Sequence, residues 1–221
     1  MPEYKWPPMP TRKVMGKRIN RIDGIEKASG RAKYTSDYKK PGMLHAAFHT
    51  CPHAHARVTS IDTSAAEKMP GVAAVRVIAK PGTEIQWFGW EVAVVAAQAE
   101  QQARDAARAI KVQYELLDHL VHERDLKKAA ARAKPAGEQV EGDVDQAMRE
   151  AEATSEGVYG IPTLNHCCLE PHGSVIAWGA DNRVEFNPST QALTPIVTDL
   201  AKQLGVPVTN IHVHQDHIGG G

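Results

Sequence analysis

Ser189-Thr190-Gln191 opens a stretch that continues through Leu193, Ile196, Val197, Leu200, Ala201 and Leu204 to Gly205, and then through Ile211 and Val213 to Gly219-Gly220-Gly221. The first apolar set recurs at helical spacing, with Thr190 as a candidate N-cap and Gly205 as the residue just past the helix end. A helix is therefore predicted between two strands, at 183–186 and 210–214. Gln191 then sits at the helix mouth, where free backbone N–H groups and the positive end of the dipole favour anionic ligands and a carboxamide can donate to an oxygen. Three glycines after an apolar strand let the backbone approach a ligand closely and present its N–H groups. By themselves such glycines read as a frayed end or a linker, and Gln191 as a solvated side chain. The residues upstream decide between these readings.

With 221 residues, 42% hydrophobic and 24% charged, the chain is globular and large enough for one domain or two small ones with real cores, and two is the reading adopted. Lys plus Arg equals Asp plus Glu at 26 each, so no overall field draws in nucleic acid or an acidic membrane surface. Three cysteines, with Cys167 and Cys168 adjacent, make neither a disulfide framework nor a spaced metal site. That usage points to a reducing compartment, the cytoplasm. The N-terminus lacks the apolar run of a secretory signal, and the longest apolar run, 92–97, is too short to span a bilayer.

Residues 1–20 are Pro-rich and basic and read as an extended arm. Strand patterns follow at 44–49, 56–61 and 74–79, and Asp62-Thr63-Ser64 with Glu67 reads as the start of a short helix stopped by Pro70-Gly71. The run 92–97 reads as a buried strand. Ala99, Ala103, Ala106, Ala107 and Ile110 then share one helical face, and 112–115 returns as a strand. From about 119 to 140 the chain is polar and connecting, with one exposed helix. Asp143 with Gln146 caps another short helix through Ala153, and further strands are expected at 156–159 and 174–178.

One string competes for the chemistry. His212-Val213-His214-Gln215-Asp216-His217 resembles the zinc motif of metallo-β-lactamase-fold hydrolases, in which two His at strand spacing share a face while the Asp and the next His serve a second metal or an activated water. Such enzymes need further ligands downstream, and only four residues follow His217. The simpler reading puts His212 and His214 on the polar face of a strand whose other face holds Ile211 and Val213.

A second resemblance spans roughly residues 15–221. Arg21-Ile22-Asp23-Gly24, Lys27 through Tyr34, Pro41-Gly42-Met43-Leu44, Pro52 through Arg57, Ile61-Asp62-Thr63-Ser64, Pro70-Gly71-Val72, Glu91 through Ala97, Tyr114-Glu115, Gly142-Asp143-Val144-Asp145, His166 through Pro171 and Ser189-Thr190-Gln191 occur in the order found in the large subunits of molybdenum hydroxylases. This is the xanthine dehydrogenase and aldehyde oxidase family. The resemblance implies an α+β architecture: an α/β hammerhead domain at 21–130, a linker at 131–150, and at 151–221 the first part of a mixed α/β molybdopterin-binding domain. It implies that Gln191 hydrogen-bonds an oxo ligand of molybdenum and that Gly219, Gly220 and Gly221 lie beside the molybdopterin cofactor, in its cytosine dinucleotide form. It also implies hydroxylation of an aldehyde or N-heterocycle with oxygen from water, and partner subunits that carry [2Fe–2S] clusters and FAD.

The family's glycine loop continues with Phe-Gly, and its large subunit carries a base glutamate and further cofactor contacts beyond it. The expectation is therefore a split subunit, completed by the C-terminal part of the molybdopterin-binding subunit on a separate chain, or a fragment. A non-catalytic assembly module is the alternative from outside the enzymes. Among the remaining motif residues, Cys167 and Cys168 are read as packing residues. Glu170, before Pro171, is read as a structural hydrogen-bond acceptor, and neither His166 nor His172 is assigned a catalytic role.

Overall fold

The computed structural model describes residues 5–120, 122, 126–129, 137–162 and 164–220. In chain order its elements are α1 (Gly24–Ala28), β1 (His45–Thr50), β2 (Ala56–Asp62), α2 (Ser64–Glu67), β3 (Val72–Val77), β4 (Glu84–Ile85), β5 (Glu91–Ala97), α3 (Glu100–Ala109), β6 (Lys111–Leu116), α4 (Leu126–Ala129), α5 (Val144–Glu150), β7 (Ser174–Trp178), β8 (Val184–Pro188), α6 (Leu193–Leu204) and β9 (Ile211–Val213). The chain divides into two compact units, one formed by Lys40–Gly160 and the other by Met1–Lys39 together with Ile161–Gly221.

In the Lys40–Gly160 unit, β5 is the centre. It pairs antiparallel with β1 and β3, giving a sheet ordered β1-β5-β3. Its side chains alternate between two cores, as a strand of period 2 requires. Ala93 and Val95 pack with Ala106, Ala107 and Ile110 of the α3 segment, whereas Val92 joins Cys51, Ala56, Val58, Ala79 and Ile85 beneath a second sheet ordered β4-β2-β6. Alanine on the inner face of α3 lets the helix lie close to the sheet. Val92 and Val95 have no exposed surface, a burial of about 1.5 kcal/mol or more for each. The predicted start of α2 is present: Ser64 N–H donates to Asp62 Oδ1 at 2.9 Å and Thr63 Oγ1 meets Glu67 Oε1 at 2.6 Å. Gln146 N–H likewise donates to Asp143 Oδ1 at 2.8 Å at the start of α5.

In the other unit, β8 pairs antiparallel with β7 and parallel with β9, and α6 is the crossover between the parallel pair. Val184, Phe186, Ala201 and Ile211 form its core, with Ile196, Val197, Leu200 and Leu204 of α6 packed against them. The helical face read from the sequence is thus the one that is buried. Gly205 ends the helix with φ +69°, a left-handed conformation that suits a residue without Cβ, and Val206 N–H returns to Ala201 O at 3.1 Å.

Several expectations are corrected. The segment 156–159 forms no strand; Val158 and Tyr159 are almost wholly exposed, so their β-favouring side chains have no ladder or core to join. The helix expected through Ala153 ends at Glu150. The helix α1 and the two-residue strand β4 were not expected, since neither is long enough to show a periodic pattern.

Candidate active site

The site lies beyond the carboxyl ends of β8 and β9, the position at which open sheets with parallel strands bind ligands. Two side-chain ties hold these ends together. Asn187, almost fully buried, donates from Nδ2 to the His214 carbonyl at 3.1 Å, and His214 N–H donates to Phe186 O at 2.9 Å. One residue on, Gln215 donates from Nε2 to Thr190 O at 2.6 Å. The Ser189–Gln191 bend is therefore fixed by the segment leaving β9. Both amides were missed in the sequence, where a lone Asn or Gln beside a strand end reads as solvated.

The bend differs from the expected helix start. Thr190 Oγ1 accepts from Ala192 N–H at 3.1 Å, and α6 begins only at Leu193 with Ala192 as its N-cap. Gln191 thus precedes the helix instead of occupying its first turn. The cause is local: the threonine hydroxyl closes a turn on the backbone two residues ahead and delays the helix. Gln191 is exposed, and among the described residues its carboxamide has no hydrogen-bond partner.

A pocket of about 190 Å³ opens here, lined by Cys168, Glu170, His172, Ser189, Thr190, Gln191, Ile218 and Gly220. Gln191 and Gly220, expected together at a cofactor, do share one cavity. Gly219 does not line it. Its N–H donates to Glu170 Oε2 at 2.7 Å, and it borders a second cavity with Tyr34, Ser36, Asp37, Leu169, Glu170 and Pro171. Gly221 lies outside the described residues.

The two glycines are crowded from one side. A Cβ on Gly219 would lie 2.6 Å from Glu170 Cβ, and one on Gly220 would run into the Cys168 side chain and come within 3.2 Å of its Cα. Gly220 also has φ +154°, a conformation that residues with a Cβ rarely adopt. Glu170 is a structural acceptor on both oxygens, since Oε1 also receives Thr35 N–H at 3.2 Å. The packing role expected for the cysteines holds for neither in full: Cys167 is exposed and Cys168 borders the pocket. His172 lines the pocket, while His166 is exposed and outside it.

The His-rich string does not gather into a metal centre. Among the described residues no group of three or more His, Cys, Asp or Glu side chains is placed to hold a metal ion. His214 Nε2 pairs with Glu185, and His217 Nε2 lies 3.1 Å from Glu26 Oε2. The His214 ring, followed by the Arg183 guanidinium, holds the Glu185 carboxyl below the usual carboxylate range. The described residues include no helix long and apolar enough to cross a membrane.

Residues 121–221 match the molybdopterin cofactor-binding domain family, and residues 29–83 match the α/β hammerhead domain of aldehyde oxidase and xanthine dehydrogenase. The chain is 30% identical, over 97% of its length, to the aldehyde oxidoreductase molybdenum-binding subunit PaoC of Escherichia coli, of which it covers 32%. It is also 30% identical, over 94% of its length, to the nicotinate dehydrogenase large molybdopterin subunit of Eubacterium barkeri, of which it covers 55%. Among solved structures, CO dehydrogenase from Oligotropha carboxidovorans superposes with a TM-score of 0.79 at 27% identity, across 94% of this chain and 31% of that one. The chain thus spans between 31% and 55% of the length of these relatives.

Proposed function

The chain belongs to the xanthine dehydrogenase and aldehyde oxidase family of molybdopterin-binding subunits, and on that premise we propose that it supplies one wall of a molybdenum cofactor site in an enzyme that hydroxylates an aldehyde or an N-heterocycle. When bound, that cofactor supplies two-electron redox chemistry that places oxygen drawn from water on a carbon. The single observation that carries the reading is Gln191, whose carboxamide, without a partner among the described residues, shares a pocket with Gly220 at the carboxyl ends of β8 and β9.

The residues fit such a group. Gln191 Nε2 is free to donate to an oxygen of the metal centre, and a donor outside the coordination shell orients and tunes a metal. Gly220, with no side chain, lets the backbone come close to the ligand. Gln215 fixes the bend that carries Gln191, and Ile218 and Cys168 give the pocket an apolar flank. The substrate class rests on the relatives, one named for aldehydes and one for the N-heterocycle nicotinate. The proposal includes electron transfer to [2Fe–2S] and FAD groups on partner subunits, the rest of the cofactor-binding subunit, a cytosine dinucleotide form of the cofactor and a cytoplasmic location.

Metal analysis of the complex purified from its native host tests this reading. About one molybdenum per chain is expected, and Gln191→Ala is expected to lower turnover ~10–100-fold with little change in melting temperature. Stoichiometric zinc without molybdenum would sink it.

A further inference from the structure

Glu170 lines both cavities of the unit formed by Met1–Lys39 and Ile161–Gly221. Its carboxylate receives two backbone N–H groups from distant parts of the chain, Thr35 at 3.2 Å on Oε1 and Gly219 at 2.7 Å on Oε2. Thr35 is itself buried and opens the 3-10 turn Thr35–Asp37, which is secured from the other side by Tyr34 N–H donating to Asp37 Oδ2 at 2.9 Å. Thr35 is therefore a fixed point in the fold. Pro171 biases Glu170 toward an extended backbone, and extended residues alternate their side-chain directions.

We propose that Glu170 is a positioning residue for the cofactor. It captures the Gly219 amide and anchors it to the Thr35 turn, so that Gly220 is the first residue of the glycine run to border the Gln191 pocket. Two features of the geometry carry this. Gly219 is absent from the Gln191 pocket while Gly220 lines it, and the Gly219 N–H is already occupied by a charged acceptor. The missing side chains at both positions are explained by the same wall, since a Cβ on either glycine would meet the segment Cys168 to Glu170. Glu170 touches no reacting atom in this scheme. It acts through the backbone of the glycine run.

The inference rests on the proposed cofactor site, and the experiment separates the two. Hydrogen exchange at single-residue resolution is measured on the native complex carrying Glu170→Gln or Glu170→Ala, alongside molybdenum content and the paramagnetic signal of the partly reduced metal. Glutamine keeps the shape but turns one acceptor into a donor that faces an N–H. The amides of Gly219 and Thr35 are both expected to exchange at least about tenfold faster in Glu170→Ala, and in Glu170→Gln the one that faces the new amide donor is, because its hydrogen bond to a charged acceptor is lost. The signal of the molecules that retain molybdenum is expected to change shape, which a purely structural loss would leave alone. Unchanged exchange at both amides overturns the clamp. Faster exchange with unaltered molybdenum content and signal overturns its role toward the cofactor. Wild-type material that contains no molybdenum defeats the functional reading instead, and the exchange rates still decide whether Glu170 holds Gly219.

Discussion

Substituting Asn187 tests the tie that holds the ends of β8 and β9 together. The side chain is 3% exposed and donates to the His214 carbonyl at 3.1 Å. Alanine removes a neutral hydrogen bond worth about 1 kcal/mol and leaves a carbonyl short of a partner for about 1 kcal/mol more, so a loss of about 2 kcal/mol is expected. Aspartate keeps the shape but faces the carbonyl with an oxygen, and at pH 7 it buries a charge; a loss of about 3 kcal/mol or more is expected. Its sign with pH is distinctive. Burial beside a carbonyl raises the aspartate pKa above its unfolded value near 3.9, so stability is present below that value, where the protonated acid donates as the amide did, and is lost as pH rises. Thermal unfolding of the purified complex should then fall by about 4–8 °C for alanine and further for aspartate at pH 7, with part of the aspartate loss recovered near pH 4. An aspartate variant as stable as wild type at pH 7, or one that gains nothing on acidification, would refute the account of the tie.

Gly220→Ala should reduce molybdenum content well below wild type, whereas Gly42→Ala, at φ +71° with open space around it, should cost about 1–2 kcal/mol of stability and leave the metal in place; elemental analysis of both decides. Tyr114 carries a buried hydroxyl without a hydrogen-bond partner among the described residues, so Tyr114→Phe should leave the melting temperature unchanged or raise it. Burial, and then the neighbouring Cys51 thiol, push the Tyr114 pKa up, so ionising the buried hydroxyl costs stability as pH rises beyond about 10; Tyr114→Phe should lack that alkaline limb in a denaturation series. Glu185 is held below the usual carboxylate range, chiefly by His214, so it stabilises the fold above about pH 4 and loses that contribution as pH falls; His214→Ala should flatten the acid limb between about pH 5 and pH 3.

The legible parts of the fold were those with long periodic patterns. The strand β5 read correctly from its continuous apolar run, and the alanine face of α3 and the apolar face of α6 because burial repeats at the period of the helix. The segment 156–159 was expected as a strand from its Val-Tyr content and formed none, since composition does not show whether a partner strand exists. At the site, Gln191 and Gly220 were singled out through ordered motifs, and they line one pocket. The distinction between Gly219 and Gly220 was invisible, because it depends on Glu170 reaching across 49 residues of sequence. The same is true of Asn187 and Gln215, whose partners lie 27 and 25 residues away. Thr190 misled in a different way: a residue that caps helices also closes short turns, and here it did the second.

The crowding of Gly219 and Gly220 by the Cys168 to Glu170 segment bears on how diverged relatives should be sorted. Those glycines are demanded by the protein's own wall, so a descendant that did not use the proposed cofactor would still be selected to keep them for folding. Gln191 meets no partner among the described residues, and under the proposed function a bound ligand is what gives it work. In a lineage drifting away from cofactor use, the glutamine should be the first of these positions to vary, and a survey that scores the glycines alone would count dead copies as living ones.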